Sequence, residues 1–130
     1  MIGRMHHTIV DTPDAVRLAE FYAALLGKPI TYRSDDFCVV SDSPTSSGLG
    51  FQRVDVYVPP RWPDPSYPQQ MHFDIMVDDL AEAHAAVVAL GATLLPDGDH
   101  VYADPVGHPF CLIRRPSWAA PIAAAGDEQP

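Results

Sequence analysis

The chain has 130 residues, the length of one ordinary domain, and 47% of them are hydrophobic against 19% charged. This composition excludes a disordered acidic tail, and no stretch approaches the roughly 20 unbroken apolar residues of a membrane span. Asp and Glu number 17 against 8 Lys and Arg, a net charge of −9, so the protein repels phosphate backbones and anionic lipid. Nucleic acid and membrane surfaces are therefore excluded as partners.

The first seven residues contain no apolar signal segment, so we expect a cytoplasmic protein. In a reducing compartment two cysteines are more often buried thiols than a bridge. Cys38 and Cys111 are accordingly expected to be free thiols.

The first half of the chain predicts one strand, one helix and three further strands. Residues 5–11 form the first strand candidate. The helix, about 15–26, follows the N-cap Asp14 and ends at Gly27, which offers a left-handed stop. The further strands are predicted at 30–33, 37–41 and 49–54.

Prolines 59, 60, 63, 65 and 68 are too dense for a helix or a central strand, so residues 59–70 are predicted to be a linker with polyproline character. The segment carries Trp62 and Tyr67, and Tyr57 precedes it. It is either a linker packed on its own domain, a lid over a binding site, or a contact with a second subunit.

The second half repeats the pattern of the first. After a strand at 71–77, Asp79 and Glu82 form a capping box that opens a helix at about 80–90, and Gly91 ends it. Further strands are predicted at 93–95, 100–103 and 110–114, and residues 116–130 are expected to be a loosely packed tail.

The two halves therefore predict two βαβββ modules, 1–58 and 71–115, within one structural domain. His7 and His72 lie 65 residues apart, as do Asp14 and Asp79, whereas Phe51 and Phe110 are 59 apart. An offset that shrinks across loops is typical of a duplicated module with loop deletions. In that register Gln52 corresponds to Cys111.

In the strand at 71–77 the period of two places Phe73, Ile75 and Val77 under the helix and His72, Asp74 and Met76 on the opposite face. Two ionisable groups on that face indicate a pocket rather than a merely solvated surface. Periodicity does not decide which of His6 and His7 shares this role in the first strand. The repeat register favours His7, with Ile9 and Asp11 on its face.

The combination of motifs resembles the vicinal oxygen chelate superfamily, in particular its small glyoxalase-like and bleomycin-resistance-like branch. The resemblance covers residues 4–115. It is carried by the histidine of each first strand, by the helix pattern of Asp14, Phe21, Tyr22, Leu26 and Gly27, and by the turn Asp104-Pro105-Val106-Gly107. It implies an α+β fold in which two βαβββ modules form a curved eight-stranded mixed sheet with a concave pocket. The alternative is a ferredoxin-like sandwich with four strands.

In metal-dependent members of that superfamily a histidine on the first strand and a glutamate on the last strand of each module bind a divalent ion. The histidines match at His7 and His72, but Gln52 and Cys111 stand where the glutamates are expected. A hard cation would lose both anions, while zinc could accept two histidines and a thiolate if the ion itself ionised Cys111. No metal or cofactor is assigned, and we expect chelators to leave thermal stability unchanged.

The resemblance implies two alternative functions. The first is a protein that binds a small organic molecule in the sheet concavity without a complete family metal site. The second is a divalent-metal-dependent lyase or isomerase of the glyoxalase type, so whether the chain is an enzyme stays open. We also expect a homodimer, because an open sheet leaves edges to cover. The predicted ligand pocket consists of His7, Gln52, His72, Asp74 and Cys111; no catalytic residue is assigned.

Overall fold

The computed structural model describes residues 1, 3–68 and 71–122, so residues 69–70 of the predicted linker and 123–130 of the predicted tail lie outside the described residues. The chain divides into two compact units, Met1–Val58 and Pro59–Pro130. We call them the first and the second module. Among the described residues, neither helix is long and apolar enough to cross a membrane.

The first module contains one helix and a four-stranded mixed sheet in the order β1-β4-β3-β2. β1 runs parallel to β4, and the other neighbours are antiparallel. The elements are β1 (His7–Thr12), α1 (Ala15–Leu26), β2 (Ile30–Arg33), β3 (Phe37–Val40) and β4 (Gly48–Arg53).

Helix α1 begins and ends as the sequence predicts. The Asp14 side chain accepts a hydrogen bond from Arg17 N at 3.1 Å, and Gly27 closes the helix in the left-handed region at φ 63°. The helix buries one face against the sheet, where the Tyr22 ring stacks on Phe51 with centroids 5.3 Å apart. Its buried residues are Ala15, Leu18, Ala19, Phe21 and Tyr22.

The second module repeats this topology with strand order β5-β8-β7-β6 and β5 parallel to β8. Its helix again follows an N-cap, because Asp79 accepts a hydrogen bond from Glu82 N at 2.9 Å. The elements are β5 (Phe73–Val77), α2 (Leu80–Ala89), β6 (Thr93–Leu94), β7 (Val101–Ala103) and β8 (Pro109–Arg114).

The core of the second module is thinner than that of the first. Val87 is the buried residue of α2, and the main aromatic contact lies within the sheet, where Tyr102 stacks on Phe110 at 5.6 Å. Helix α2 therefore covers its sheet less completely than α1 does.

The predicted fold class is confirmed: within residues 3–68 and 71–122, eight strands and two helices form two βαβββ modules, each with its own four-stranded mixed sheet. A ferredoxin-like sandwich would have had four strands. The predicted helix at 15–26 and strand at 30–33 match the observed bounds, and the other elements shift by one or two residues.

The proline-rich segment contains no strand or helix in its described part, but its predicted polyproline character is wrong. Arg61 N donates to Tyr67 O at 3.0 Å, and the Arg61 guanidinium lies 4.2 Å from the centroid of the Tyr67 ring. Asp64 N donates a hydrogen bond to Arg61 O, which closes a further turn. These contacts fold the segment into a closed loop rather than an extended arm.

The described part of the tail folds back on the start of α2. Asp78 forms an ion pair with Arg115 and accepts a hydrogen bond from Ile122 N at 2.9 Å. Trp118, by contrast, is 81% exposed. The exposed Trp118 fits the loosely packed tail that the composition indicates, whereas the two contacts of Asp78 do not.

Candidate functional site

Two predicted pocket residues of the second module lie directly opposite each other on neighbouring strands. Asp74 of β5 is the register partner of Cys111 of β8, while the adjacent pair Phe73 and Phe110 points to the helix side. His72 precedes β5 by one residue and has the same parity as Asp74. The predicted face for His72 and Asp74 therefore agrees with the observed register.

These three side chains form a cluster, which we call the three-residue cluster: His72, Asp74 and Cys111. One ligand atom from each lies within 4.8 Å of the other two, and His72 Nε2 is 3.3 Å from Asp74 Oδ1. The His72 and Asp74 side chains are 39% and 55% exposed, and Cys111 is half-buried. The cluster is thus open to a molecule arriving from solvent.

Burial, followed by the negative charge and the hydrogen bond of Asp74, raises the pKa of the Cys111 thiol. The thiol stays protonated at neutral pH and donates to the carboxylate, which also lies beside the imidazole. Asp74 is therefore the central acceptor of the cluster. Cys111 lacks the electropositive surroundings that make a cysteine a reactive nucleophile.

Trp62 of the proline-rich loop lies against this cluster. Its ring is 5.9 Å from the His72 ring in an edge-to-face arrangement, and its Nε1 donates to Asp97 O at 3.3 Å. Gly98 is also close, because a Cβ there would lie 3.6 Å from Trp62 Nε1. The sequence predicts three possible roles for the segment that contains Trp62. It does not predict the contact with His72, because the position of Trp62 depends on the turns of that loop.

In the first module the structure distinguishes the two adjacent histidines. His7 belongs to β1 and alternates with the buried residues Val10 and Thr12, so it shares its face with Ile9 and Asp11. Its Nδ1 accepts a hydrogen bond from Gly48 N at 3.0 Å. Partial burial, and then the neighbouring His6, lower the pKa of His7.

Gln52 is not brought next to His7. In the parallel register His7 pairs with Gly48, whereas Gln52 pairs with Asp11 four residues further along. At about 3.3 Å per residue, that separation is about 13 Å. The two predicted pocket residues of the first module therefore share a face but form no cluster.

The predicted correspondence between Gln52 and Cys111 stays a prediction. Gln52 pairs with Phe37, the first residue of β3, and Cys111 pairs with Val101, the first residue of β7, which favours the correspondence. The pairing of the last strands with β1 and β5 favours Gly50 as the counterpart of Cys111 instead.

The metal ion that the superfamily resemblance implies does not fit the residues of the first module. Gln52 carries an amide without negative charge, and it pairs with Asp11, four residues along β1 from His7. A backbone N–H can only donate, so Nδ1 of neutral His7 is the acceptor and Nε2 carries the proton. Ligation through Nε2 would require the opposite tautomer.

A cavity of about 820 Å³ opens on the helix side of the second module, away from the three-residue cluster. It is bordered by α2 and by the chain between β6 and β7. At its wall the buried Tyr102 hydroxyl lies 2.7 Å from His84 Nδ1. None of the predicted pocket residues lines the cavity.

Comparison with known families gives a match along most of the chain. A profile described as "glyoxalase-like domain" matches residues 7–113, which reach from β1 into β8 and include all five predicted pocket residues. No curated protein matches the sequence at a significant level.

Several solved structures share the fold at low sequence identity. A glyoxalase/bleomycin resistance protein/dioxygenase family enzyme from Burkholderia phytofirmans is 17% identical with a TM-score of 0.63, covering 85% of this chain and 97% of its own. A glyoxalase-related enzyme from Fulvimarina pelagi is 23% identical at 0.62, covering 97% and 96%. A fosfomycin resistance protein from Mesorhizobium loti is 15% identical at 0.59, covering 91% and 96%.

Proposed function

Because this chain belongs to the glyoxalase-like domain family, we propose that it binds a small organic molecule on the exposed sheet face of the second module. The ligand would contact His72, Asp74 and Cys111. The observation that carries this proposal is the convergence of these three polar side chains on one half-open patch beside Trp62.

The chemistry of the patch restricts the ligand. Asp74 is a hydrogen-bond acceptor, so it favours a hydroxyl, amine or amide N–H on the ligand. Trp62 and the His72 ring offer flat surfaces for an aromatic or planar group. A planar molecule that carries a hydrogen-bond donor matches both features. The net charge of −9 disfavours polyanionic ligands.

The alternative function, a metal-dependent lyase or isomerase of the glyoxalase type, has less support. Its ion requires ligands from the first module, where His7 is bonded to Gly48 N and Gln52 pairs with Asp11, four residues further along β1. Family membership alone does not decide the reaction, because one fold carries many activities. Ligand binding is therefore the function that we place first.

Affinity capture from a metabolite extract, followed by native mass spectrometry, tests this proposal. We expect the full chain to retain a small molecule that is lost in Asp74→Asn, which removes the negative acceptor while keeping the side-chain shape. Asp11→Asn is the matched control, because Asp11 is also exposed on an edge strand but belongs to the first module.

His84→Ala provides a second comparison, because it alters the helix-side cavity and leaves the cluster intact. Retention by His84→Ala and loss in Asp74→Asn supports the proposed site. Loss in His84→Ala with retention by Asp74→Asn would place the ligand in the helix-side cavity and contradict the proposal.

We further propose that the protein is a cytoplasmic homodimer. Large apolar side chains are exposed on the outer strands of the two sheets, Tyr32 on β2 and Leu94 on β6, and such edges are commonly covered by a second chain. Both cysteines are free thiols, which suits a reducing compartment.

A further inference from the structure

The three-residue cluster brings together three different kinds of metal-ligating atom in one module. His72 offers a ring nitrogen, Asp74 a carboxylate oxygen and Cys111 a sulfur, all within 4.8 Å of one another. Two of the three stand opposite each other on paired parallel strands, so the sheet itself fixes their separation. The third lies one residue before β5 and is held against the ring of Trp62.

This donor set selects one class of ion. Mg²⁺ and Ca²⁺ require several oxygen ligands, and here a single carboxylate is accompanied by nitrogen and sulfur. Zinc and chemically similar divalent ions accept imidazole, thiolate and carboxylate together. Three protein ligands also leave a fourth position open, which is the arrangement of zinc sites that bind a further molecule.

We propose that His72, Asp74 and Cys111 form a binding site for one divalent cation of the zinc class, contained within the second module. The proposal goes beyond the proposed function, because the ion binds whether or not an organic ligand is present. It replaces the expectation that the chain gives no metal response. That expectation considered Gln52 and Cys111 but did not count Asp74 as a ligand.

The site differs from the one that the superfamily resemblance implies. It takes one side chain from β8, a thiol instead of a glutamate, and adds a carboxylate from β5. It requires neither His7 nor any carboxylate on a last strand. In the absence of an ion, the Cys111 proton lies between the thiol and Asp74, and an ion takes the place of that proton, so uptake releases a proton to solvent.

Titration of the purified, chelator-treated full chain with cobalt(II) tests the proposal. Cobalt is a spectroscopic substitute for zinc, and its bond to a thiolate gives a charge-transfer band in the near ultraviolet. We expect one equivalent to bind at micromolar concentration with this band, and zinc to displace it. Cys111→Ser should abolish the band, and His72→Ala and Asp74→Asn should each weaken binding at least tenfold.

Two matched variants remove the same residue types from the other module. Cys38 is buried in β3, and His7 is bonded to Gly48, so Cys38→Ser and His7→Ala should bind cobalt as the natural chain does. Absence of micromolar binding by the natural chain, or a band that survives Cys111→Ser, would overturn the proposal. Equal loss in His7→Ala and His72→Ala would show that the ion is shared between modules and that the one-module site is wrong.

A second measurement needs no change to the cluster and so does not depend on the folding of its variants. In the Cys38→Ser chain, Cys111 is the remaining thiol, and one equivalent of zinc should slow its alkylation at least tenfold. An unchanged alkylation rate in the presence of zinc would contradict ligation by Cys111.

Discussion

The ring of His7 accepts a hydrogen bond from the backbone of Gly48, which ties its charge state to the contact between β1 and β4. Protonation would convert Nδ1 into a donor and break this bond. The lowered pKa of His7 means that the unfolded chain takes up this proton more readily than the native chain. The stabilisation is therefore complete above about pH 6.5 and is lost as pH falls from there through the lowered native pKa.

We predict that the free energy of unfolding falls as the pH is lowered below about 6.5, and that His7→Gln reduces this fall. Urea unfolding at several pH values measures the effect, and the amide proton signal of Gly48 reports the bond directly. The same pH dependence in both chains, or a Gly48 signal that does not titrate, would show that His7 has no such role.

Two glycines of β4 differ in what a larger side chain would meet. At Gly48 a Cβ would lie 2.1 Å from the backbone oxygen of Val40, whereas at Gly50 it would meet the ends of the Ile9 and Phe37 side chains. A backbone atom in a paired strand cannot move without disturbing the sheet, but side-chain ends can rotate.

We predict that Gly48→Ala lowers the free energy of unfolding by about 1–3 kcal/mol and Gly50→Ala by less than about 1 kcal/mol. Urea unfolding of the two variants beside the natural chain measures both values. A larger loss in Gly50→Ala would mean that Ile9 and Phe37 are held rigidly and would reverse this ranking.

At the scale of elements, helix bounds are predictable because their signals are local. Asp14, Asp79 and Gly27 act within one turn of the helix ends, and all three occupy the predicted cap positions. Strand register is different, because it depends on pairing between distant segments of the chain. The sequence gives no signal that His7 and Gln52 are separated by four register positions in the sheet.

The candidate site was likewise predictable where a local pattern determines it and not where contacts between distant segments do. The common face of His72 and Asp74 follows from the period of two, and the addition of Cys111 requires only that the last strand pair with the first. Trp62 and the bond between His7 and Gly48 were not predictable. They depend on the turns of a proline-rich loop and on a ring orientation that carry no periodic signal.

The two helices should contribute unequally to stability. Leu18 of α1 is fully buried, so Leu18→Ala is predicted to lower the free energy of unfolding by about 2–5 kcal/mol. Val88 of α2 is 44% exposed, so Val88→Ala should change the free energy of unfolding by no more than about 0.5 kcal/mol. Chemical denaturation of both variants measures the difference. Similar losses would mean that Val88 is covered in solution, as a dimer contact would do.

At the scale of the whole molecule, the predicted dimer concerns the exposed edges of the two sheets. One chain has a mass of 14.2 kDa, so sedimentation equilibrium at micromolar protein should give about twice that mass. Tyr32→Lys and Leu94→Lys add charge to β2 and β6 and should shift the mass toward that of one chain. A mass near 14.2 kDa for the natural chain would contradict the dimer.

The proposed ligand site lies beside Trp62 on the exposed sheet face of the second module. The chain has two tryptophans, and Trp118 lies on the described part of the tail with 81% of its surface exposed, so it is a built-in control. Proton–nitrogen NMR resolves both indole N–H signals while compounds eluted from the natural chain are added back. We predict that the Trp62 signal and the amides of Asp74 and Cys111 shift while Trp118 stays unchanged. Shifts confined to His84, Tyr102 and the cavity on the helix side would contradict the claim.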